Sequence, residues 1–342
     1  MPNRRLYYAV AAGAITPDGA TSVTTSHLIH GLQSCQMDAN FGLERVYEIG
    51  QARDYEAIEN VPDVTVNLNK VLDGYCPMYL LASNGAATST LEGRADKQSI
   101  FTAFFYPDNF ASASGTPLRE VNVSGCFIGS VNYNFPVDGN FTEEMTLTSN
   151  SRIWRTSSFT FTGTAFDNTD QPLAITGSGG VNRREDFIFS PVADGSVLPP
   201  DIPGISASGT NEETAGIFGA SLQSIRVSTD MGREGVKELG RKKDYYKFRS
   251  PTVVTQTQID AIAKTGDMIN ARDDQDNLTN RTIKIKAREG LKIDMGDRNK
   301  LESVSMGGFD AGQGNGTMSF TFSTSNFFTV THPQDITTAL RP

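Results

Sequence analysis

Two short motifs in this sequence carry residue types that could bind a metal ion. His27 and His30 lie three residues apart, so a helix would place both imidazole rings on one face. The segment around them is rich in serine and threonine and supplies no acidic partner. The acidic run at 273–277 resembles part of a calcium loop but lacks the central glycine and the closing glutamate of an EF-hand. We therefore expect a solvated acidic loop and no metal site.

Catalytic and phosphate-binding motifs are also incomplete. The stretch 307–316 carries five glycines, but a strand-like pattern follows it, whereas a phosphate-binding loop opens a helix. The sequence contains no GxSxG, HExxH or P-loop motif. A glycan-processing enzyme would need two carboxylates in an aromatic-lined cleft, and the single tryptophan, Trp154, disfavours one. We expect no catalytic residue and no cofactor.

Composition narrows the remaining classes of protein. The 342 residues, 38% hydrophobic and 20% charged, are enough for two domains with buried cores. Many glycines and hydroxyl side chains favour strands and turns, so we predict a mainly β fold with a minor helical part. A net charge of −9 disfavours wrapping of nucleic acid. An acidic wall would let DNA pass without holding it, although this charge is also typical of a soluble surface.

The cysteines and the apolar segments disfavour two further classes of protein, those built on disulfides or zinc and those that span a membrane. Three cysteines without CxxC spacing indicate neither a disulfide framework nor a zinc site, and they fit a reducing cytoplasm. A single disulfide between two of them stays open as an alternative. No apolar stretch approaches the length needed to span a bilayer.

An internal repeat is the strongest pattern in the chain. The 24 residues from Leu32 (LQSCQMDANFGLERVYEIGQARDY) match the 24 from Leu222 (LQSIRVSTDMGREGVKELGRKKDY) at an offset of 190, with ten identities. Unrelated segments would share about one or two. The same offset extends to Val64 and Val254, and a weaker match at an offset of 175 aligns 139–142 with 314–317. We predict related domains at residues 1–200 and 216–342, with a proline- and glycine-rich linker at 201–215.

Each copy of the repeat predicts a strand, a short helical turn and a second strand. The helical turns are predicted at 43–49 and 233–239, closed by Gly50 and Gly240 in a left-handed conformation. We also predict one flanking helix per domain, at 256–267 and, from a weaker pattern, at 68–75. Further strands are predicted at 119–137, 143–149, 157–166, 185–190, 281–287, 291–295, 301–306 and 317–325.

Charged residues within the repeat suggest an assembly contact. The second copy carries a basic cluster of Arg233, Arg241, Lys242 and Lys243, whereas the first copy carries Glu44, Glu48, Glu56 and Glu59. Two interpretations stay open, a solvated face or a contact between subunits or rings in which charge sets the register. The residues predicted to serve assembly or structure are Gly50, Gly240, Glu44, Glu48, Arg233, Arg241 and Lys242.

Two long stretches, at 32–82 and 283–333, resemble the tail tube proteins of contractile- or long-tailed bacteriophages. The resemblance implies two tandem β-sandwich or barrel domains, each with a short flanking helix. It implies rings whose inner strands form a continuous β-barrel, and stacked rings that make the DNA-conducting tube of a phage tail. DNA and the tape-measure protein would occupy the lumen without specific binding, and the threonines and serines of TMSFTFS and MTLTS would face it.

The length of the chain bears on stoichiometry. A one-domain tube protein needs about half of these residues, so the duplication predicts a homotrimer with a pseudo-six-fold ring. A homohexamer is the alternative. The resemblance further implies a virion protein assembled in the host cytoplasm, with a sheath or terminator protein as an additional partner. Alternative functions are a baseplate–tube adaptor or a secretion-type ring protein on the same fold and, less favoured, a β-rich enzyme.

Overall fold

A computed structural model describes most of the chain, and the described residues form a mainly β structure, as predicted. They are residues 10–83, 88–90, 97–107, 115–166, 171–177, 179–189, 195–200, 202, 222–242, 244, 246–262, 278–308 and 316–333. The strands are β1 (Val10–Pro17), β2 (Leu32–Asn40), β3 (Leu43–Tyr47), β4 (Asp54–Glu59), β5 (Asp63–Val71), β6 (Thr88–Thr90), β7 (Ser99–Tyr106), β8 (Arg119–Pro136), β9 (Thr142–Ser149), β10 (Arg152–Arg155), β11 (Leu222–Asp230), β12 (Glu234–Val236), β13 (Tyr246–Phe248), β14 (Val254–Ile262), β15 (Lys284–Lys286), β16 (Lys292–Asp294), β17 (Lys300–Gly307), β18 (Thr317–Ser325) and β19 (Thr329–Thr331). The helical segments are α1 (Met78–Ala82) and two 3₁₀ turns, Thr25–His27 and Arg184–Asp186.

Eight of these strands form one antiparallel sheet that runs through both parts of the chain. Their order is β17-β18-β14-β11-β8-β9-β5-β2. β8 and β11 join the two halves, paired from Ser130↔Asp230 to Pro136↔Ser224. The first residues of β8 pair instead with β7 and β10, and β7 pairs with β1. The sheet does not close on itself within the described residues.

The two halves of this long sheet have the same strand order and the same irregularities. The order is β2-β5-β9-β8 in the first half and β11-β14-β18-β17 in the second. β2 and β11 both carry a bulge at an equivalent glutamine, Gln33 and Gln223. β8 and β17 both carry a bulge, at Gly129 and Glu302. Because bulges shift register, their recurrence shows that equivalent residues take equivalent places in both halves.

Alternation along the strands puts the apolar side chains of both halves on one face of the sheet. In β18, for example, Phe320 and Phe322 are buried while Ser319 and Thr321 between them are partly exposed. The buried side chains of both halves belong to one core, which also includes α1. The small sheet β15-β16-β19-β6 adds further apolar residues to this core. Each large side chain buried in this way stabilises the fold by about 1.5–3 kcal/mol.

A buried carboxylate holds α1 against the first half of the sheet. Glu143 of β9 accepts hydrogen bonds from the backbone N–H groups of Met78 (2.7 Å) and Tyr79 (2.8 Å) and from the hydroxyl of Tyr133 (2.8 Å). The first N–H groups of a helix have no partner inside the helix, and a negative charge suits that end. Burial raises the pKa of Glu143, and these hydrogen bonds oppose that rise. The equivalent residue in the second half is apolar, Met318.

Both predicted flanking helices are wrong in position. Residues 256–262 belong to β14, where Thr255, Thr257, Ile259 and Ala261 alternately face the core, so a period of two prevails. Residues 263–267 lie outside the described part of the chain, as does the linker predicted at 201–215 except for residue 202. The pattern at 68–75 ends β5, and the flanking helix of the first half begins later, at Met78.

The predicted helical turns and two of the predicted strands are also wrong. Residues 43–47 and 234–236 are extended and form β3 and β12. Residues 157–166 form no strand, although Phe161 is buried against Phe104 at a ring-centroid distance of 5.7 Å. Residues 185–189 contain the end of the second 3₁₀ turn and two isolated bridges, at Phe187 and Phe189, but no strand. These segments have no regular ladder. Phe161 belongs to a separate small apolar cluster with Phe104, whereas Phe187 and Phe189 pack against the main core.

The offset of 190 between the two copies of the repeat changes after β13, the strand that corresponds to β4. Val254, aligned with Val64 in the sequence, is 43% exposed. Thr255 is fully buried and takes the place of Val64, because it pairs with Thr229 as Val64 pairs with Ala39. The second copy therefore has one additional residue before β14.

We expect Glu143→Ala to destabilise the protein by about 3 kcal/mol, because two helix N–H groups and a tyrosine hydroxyl lose a buried acceptor. The urea midpoint of unfolding measures this change when the denaturant slope stays constant. Glu144→Ala is the matched control, since Glu144 lies on the exposed face and accepts one hydrogen bond from Asn69. Its expected cost is within about 0.5 kcal/mol. Equal costs for the two variants would contradict this role for Glu143.

Candidate assembly interface

The two end strands of the long sheet present free backbone edges. Among the described residues β2 pairs only with β5, and β17 pairs only with β18. Free edges are templates for pairing with another chain. β2 occupies in the first half the place of β11, and β17 occupies in the second half the place of β8. The β8·β11 ladder inside the chain therefore shows how the two outer edges could pair with the edges of other copies.

Side chains at these edges are less buried than their equivalents at the internal junction. Tyr133 of β8 and Val227 of β11 lie opposite each other and are fully buried. Their equivalents are Met306 of β17, which is 50% exposed, and Met37 of β2, which is partly exposed. Apolar residues at both free edges thus keep solvent contact that the internal ladder removes.

The opposite face of the long sheet is polar and carries few cations. Its neutral side chains include Asn67, Asn69, Ser130, Asn132, Asn134, Thr146, Thr148, Ser228, Gln256, Gln258, Ser319, Thr321 and Ser323. Its charged side chains in the central strands include Glu144, Asp230, Asp260 and one arginine, Arg226. Such a surface offers few cations that could neutralise phosphates. The predicted alternation of β9 and β18 is confirmed, with hydroxyl side chains on this polar face.

Two hairpins extend from one end of the long sheet. We call residues 43–59, with β3 and β4, hairpin 1, and residues 233–249, with β12 and β13, hairpin 2. Each is a separate two-stranded sheet, and every residue of hairpin 1 is exposed. The same turn closes both tips, because the N–H of Gln51 donates to the carbonyl of Glu48 (3.2 Å) and that of Arg241 to the carbonyl of Glu238 (3.3 Å).

The glycines singled out by the repeat lie in these turns. Gly50 has a φ of +95° and Gly240 a φ of +85°, the left-handed region that glycine adopts without strain. Each follows a fully exposed aliphatic residue, Ile49 at 104% and Leu239 at 105% of the reference accessible surface. Sequence reasoning missed these two tips. Their signal was present, since the repeat aligns an apolar residue with an apolar residue at a position that follows a glutamate and precedes a glycine.

The charged residues predicted to serve assembly fall into two groups. Glu44, Glu48 and Lys242 are exposed on the hairpins, and Arg241 pairs there with Glu238 at 3.7 Å. Glu48 also accepts a hydrogen bond from the side chain of Gln51 (2.7 Å). Lys243 lies outside the described residues.

Arg233 differs from these exposed residues because its side chain contacts β8 and so attaches hairpin 2 to the long sheet. Its Nε donates to the carbonyl of Ile128 (2.8 Å), and its guanidinium lies 5.2 Å from the ring centroid of Phe127. Lys247 of the same hairpin forms an ion pair with Asp63 at 3.3 Å. The basic cluster predicted as a single patch is thus divided between an internal anchor and an exposed tip.

The residues considered for metal binding have other contacts. Nδ1 of His27 accepts a hydrogen bond from the N–H of Thr24 (3.2 Å), whereas the ring of His30 stacks on Tyr75 at 3.8 Å. Within the described ranges, no three His, Cys, Asp or Glu side chains are grouped so that they could hold a metal ion. The acidic run at 273–277 lies outside those ranges.

The cysteines and the helical content complete the description. None of the three cysteines forms a disulfide; Cys35 is exposed on the edge strand β2, and Cys76 and Cys126 are buried. In the part of the chain that the structure describes, no helix is both long and apolar enough to cross a membrane.

Comparison with known proteins gives one family match and several structural similarities. Residues 18–73, which contain β2, hairpin 1 and β5, match a family model described as Phi812 tail tube protein. No curated protein sequence matches the chain. Similar solved structures include a chain of the sheath–tube complex of an extracellular contractile injection system, PVC, in the extended state, with 14% identity over 46% of this chain and 95% of that chain and a TM-score of 0.33. Another is a chain of the anti-feeding prophage (AFP) baseplate, with 8% identity over 46% of this chain and 100% of that chain and a TM-score of 0.33.

The family match confirms the resemblance predicted from the sequence. The described residues are mainly β, and residues 18–73 are similar to the Phi812 tail tube protein family. The matched residues comprise one free edge of the long sheet, the hairpin beside it and the strand that pairs with that edge.

Arg233→Ala should destabilise the protein by about 2 kcal/mol, because a charge-assisted hydrogen bond and a cation–π contact are lost. Arg241→Ala is the matched control in the same hairpin. Its ion pair is exposed, so we expect a cost below about 0.5 kcal/mol. Urea unfolding measures both variants, and a larger cost for Arg241→Ala than for Arg233→Ala would refute this division of the basic cluster.

Proposed function

We propose that this protein is the major tail tube subunit of a phage tail, and that three chains pair edge to edge into a ring with a continuous inner β-barrel. The single observation that supports this proposal best is the recurrence of the four-strand unit inside one chain, with the junction β8·β11 between its copies. A ring removes both free edges at once, which an isolated chain cannot do. The two units would be a tandem duplication of one tube domain.

The internal junction supplies the register of the proposed contact between chains. Met306 takes the place of Tyr133, because each pairs with an equivalent residue of the neighbouring strand, Met318 and Glu143. Met37 takes the place of Val227 in the repeat. Since Tyr133 lies opposite Val227, Met306 of one chain would lie opposite Met37 of the next. The half-exposed apolar residues of both edges would then become buried.

The stoichiometry follows from the number of units. Each chain carries two four-stranded units, so three chains supply the six units of a pseudo-six-fold ring. Six chains would supply twelve and would need a much wider barrel. In the ring the polar face of the long sheet would line the lumen, because the apolar face is covered by α1 and the small sheet. DNA and the tape-measure protein would pass along neutral and acidic side chains without specific binding.

A baseplate–tube adaptor on the same fold is the second candidate. It would use the same two edges to close a ring, but its rings would not stack on one another. In either case we propose a virion protein assembled in the host cytoplasm, with a sheath or terminator protein as an additional partner. Electron microscopy of purified rings at rising concentration separates the two, since a tube subunit forms long tubes and an adaptor stays as single rings.

We expect a Met37→Cys/Met306→Cys double variant, made in a Cys35→Ser background, to cross-link between chains on mild oxidation. The proposed pairing places the two Cβ atoms within disulfide range. Denaturing electrophoresis without reductant should show one, two and three linked chains and nothing larger from single rings. A ladder that continues to six chains would reject the trimer, and the absence of any cross-link in assembled rings would reject the pairing.

Met37→Cys/Ser305→Cys is the matched control for this experiment. Neighbouring residues of a strand point to opposite faces, so these two thiols would lie on opposite sides of the sheet. This variant should give little cross-linking under the same conditions.

Cys35 provides a probe that needs no substitution. Although it is exposed, nearby protein atoms desolvate its sulfur and raise the pKa of the thiol to about 11. We expect slow labelling by a maleimide in the isolated chain, faster as the pH rises towards that value, because the thiolate is the nucleophile. In assembled rings the labelling should be at least about tenfold slower, since β2 would be covered. Equal rates in both states would contradict the coverage of β2, and the buried Cys76 and Cys126 report any unfolding.

A further inference from the structure

The two hairpins have the same register, so their residues can be compared one by one. Val46 lies opposite Glu56 in hairpin 1, and Val236 lies opposite Tyr246 in hairpin 2. All three pairs of the hairpin 2 ladder have counterparts in hairpin 1 at the offset of 190. Glu56 is therefore the equivalent of Tyr246, and each contact of hairpin 2 identifies a contact that hairpin 1 could make.

Hairpin 2 rests on the first half of the long sheet. The ring of Tyr246 meets the ring of Phe127 in β8 edge to face, with the two centroids 5.1 Å apart. Lys247 forms its ion pair with Asp63, the first residue of β5. The hairpin thus belongs to the second four-stranded unit and its partners to the first. If this geometry recurs where β17 of one copy meets β2 of the next, hairpin 1 rests on the second half of the neighbouring copy.

Lys300 of β17 is the residue that would receive Glu56. It is the equivalent of Phe127, because it pairs with Ser323 of β18 as Phe127 pairs with Thr148 of β9, and in both strands the bulge lies two residues further on. Lys300 and Glu56 are exposed, and among the described residues neither has an ion-pair partner. The contact that is aromatic inside the chain would therefore join two opposite charges between chains.

A second position is complementary in the same way. Val254 corresponds to Asp63, because each is the first residue of its strand and precedes the first buried residue. Ala57 corresponds to Lys247, and both Ala57 and Val254 are exposed. An ion pair inside the chain is thus replaced by two aliphatic side chains. Complementarity is kept at both positions although the chemistry is exchanged, which favours a contact between these surfaces.

The exchange of chemistry suits a junction that forms only on assembly. A lysine on an edge strand by itself serves to block incorrect pairing. That role does not account for the glutamate at the equivalent place in hairpin 1. A phenylalanine at position 300 would be exposed in the free chain, where large apolar groups promote aggregation. The aromatic pair of the internal junction does not have this problem, because Phe127 is buried within one molecule.

We propose that hairpin 1 of one copy rests on β17 of its neighbour in the same ring, with Glu56 paired to Lys300 and Ala57 against Val254. This inference rests on the proposed ring and deepens it, since it adds a contact outside the edge strands. The ring then has two kinds of junction, with an aromatic pair inside each chain and an ion pair between chains at the equivalent place. Raised ionic strength screens an exposed ion pair, so it weakens only the junctions between chains.

A zero-length cross-linker tests the ion pair directly. A water-soluble carbodiimide activates a carboxylate, and a lysine amine at ion-pair distance then displaces the urea and leaves an amide. In assembled rings we expect an amide between Glu56 and Lys300 of different chains, identified by mass spectrometry of peptides. Lys247 and Asp63 are the internal control, because their pair lies within one chain and should react in free chains and rings alike. Rings that give only the control amide overturn the proposal.

Charge reversal tests the contribution of the pair to ring closure. Glu56→Lys alone and Lys300→Glu alone should each raise the concentration at which half of the chains are in rings by at least about tenfold, because like charges meet at every junction between chains. The double variant should recover ring formation to within about threefold of the original protein. Sedimentation velocity measures these concentrations, and a double variant no better than the single ones overturns the contact.

Glu48→Lys is the matched control for charge reversal. It makes the same change of charge at the tip of hairpin 1, and the equivalent Glu238 pairs within its own hairpin, with Arg241. We expect this variant to change the concentration for ring formation by less than about threefold. A control as harmful as Glu56→Lys would refute a specific pair and indicate a general effect of charge.

Copying the internal contact gives a test with the opposite sign. Glu56→Tyr/Lys300→Phe should close rings at a concentration that changes little between about 0.1 M and about 1 M salt, whereas for the original protein it should rise at least about threefold. Equal salt dependence of the two proteins overturns the proposal. The Met37–Met306 cross-link reports edge pairing separately. Rings that close through these edges without the Glu56–Lys300 amide refute this contact alone, whereas chains that never close refute the proposed function with it.

Discussion

The backbone ladder between β8 and β11 is the interaction on which the rest of this structure depends. It joins two four-stranded units into one sheet and lets their apolar faces share a single core. Among the described residues, it also leaves the outer edges of the two outermost strands, β2 and β17, unpaired. A sheet of this length with two free edges is prone to pair with other chains, and the proposed ring would use both edges in this way.

The two units are alike in backbone and different in side chains. The first binds α1 through the buried carboxylate of Glu143, whereas the second has Met318 at the equivalent place. The hairpins share a turn and an exposed aliphatic tip but have opposite net charge. Such differences require two units in one chain, because a protein with one unit per chain must present identical surfaces all around its ring. Under the proposed function, duplication keeps the geometry of a ring and adds a means to tell one position from the next.

The sequence predicted the β class and most of the strands of the long sheet, because alternation in β8, β9 and β18 is regular over many residues. The prediction of secondary structure failed where polar residues occupy core positions. Thr255 and Thr257 are buried in β14, so a search for apolar spacing read Ile259 and Ile262 as one face of a helix. The residues that would serve assembly were only partly predictable. The repeat identified Gly50 and Gly240, but burial alone distinguishes the anchored Arg233 from the exposed Arg241.

The mass of a single ring tests the central claim most directly. Native mass spectrometry of rings separated before they stack counts the chains without any assumption about register. Edge pairing of duplicated units predicts three copies of the 37.0 kDa chain and no larger closed species. A ring of six copies would contradict this claim. A protein that stays monomeric at every concentration tested would also contradict it.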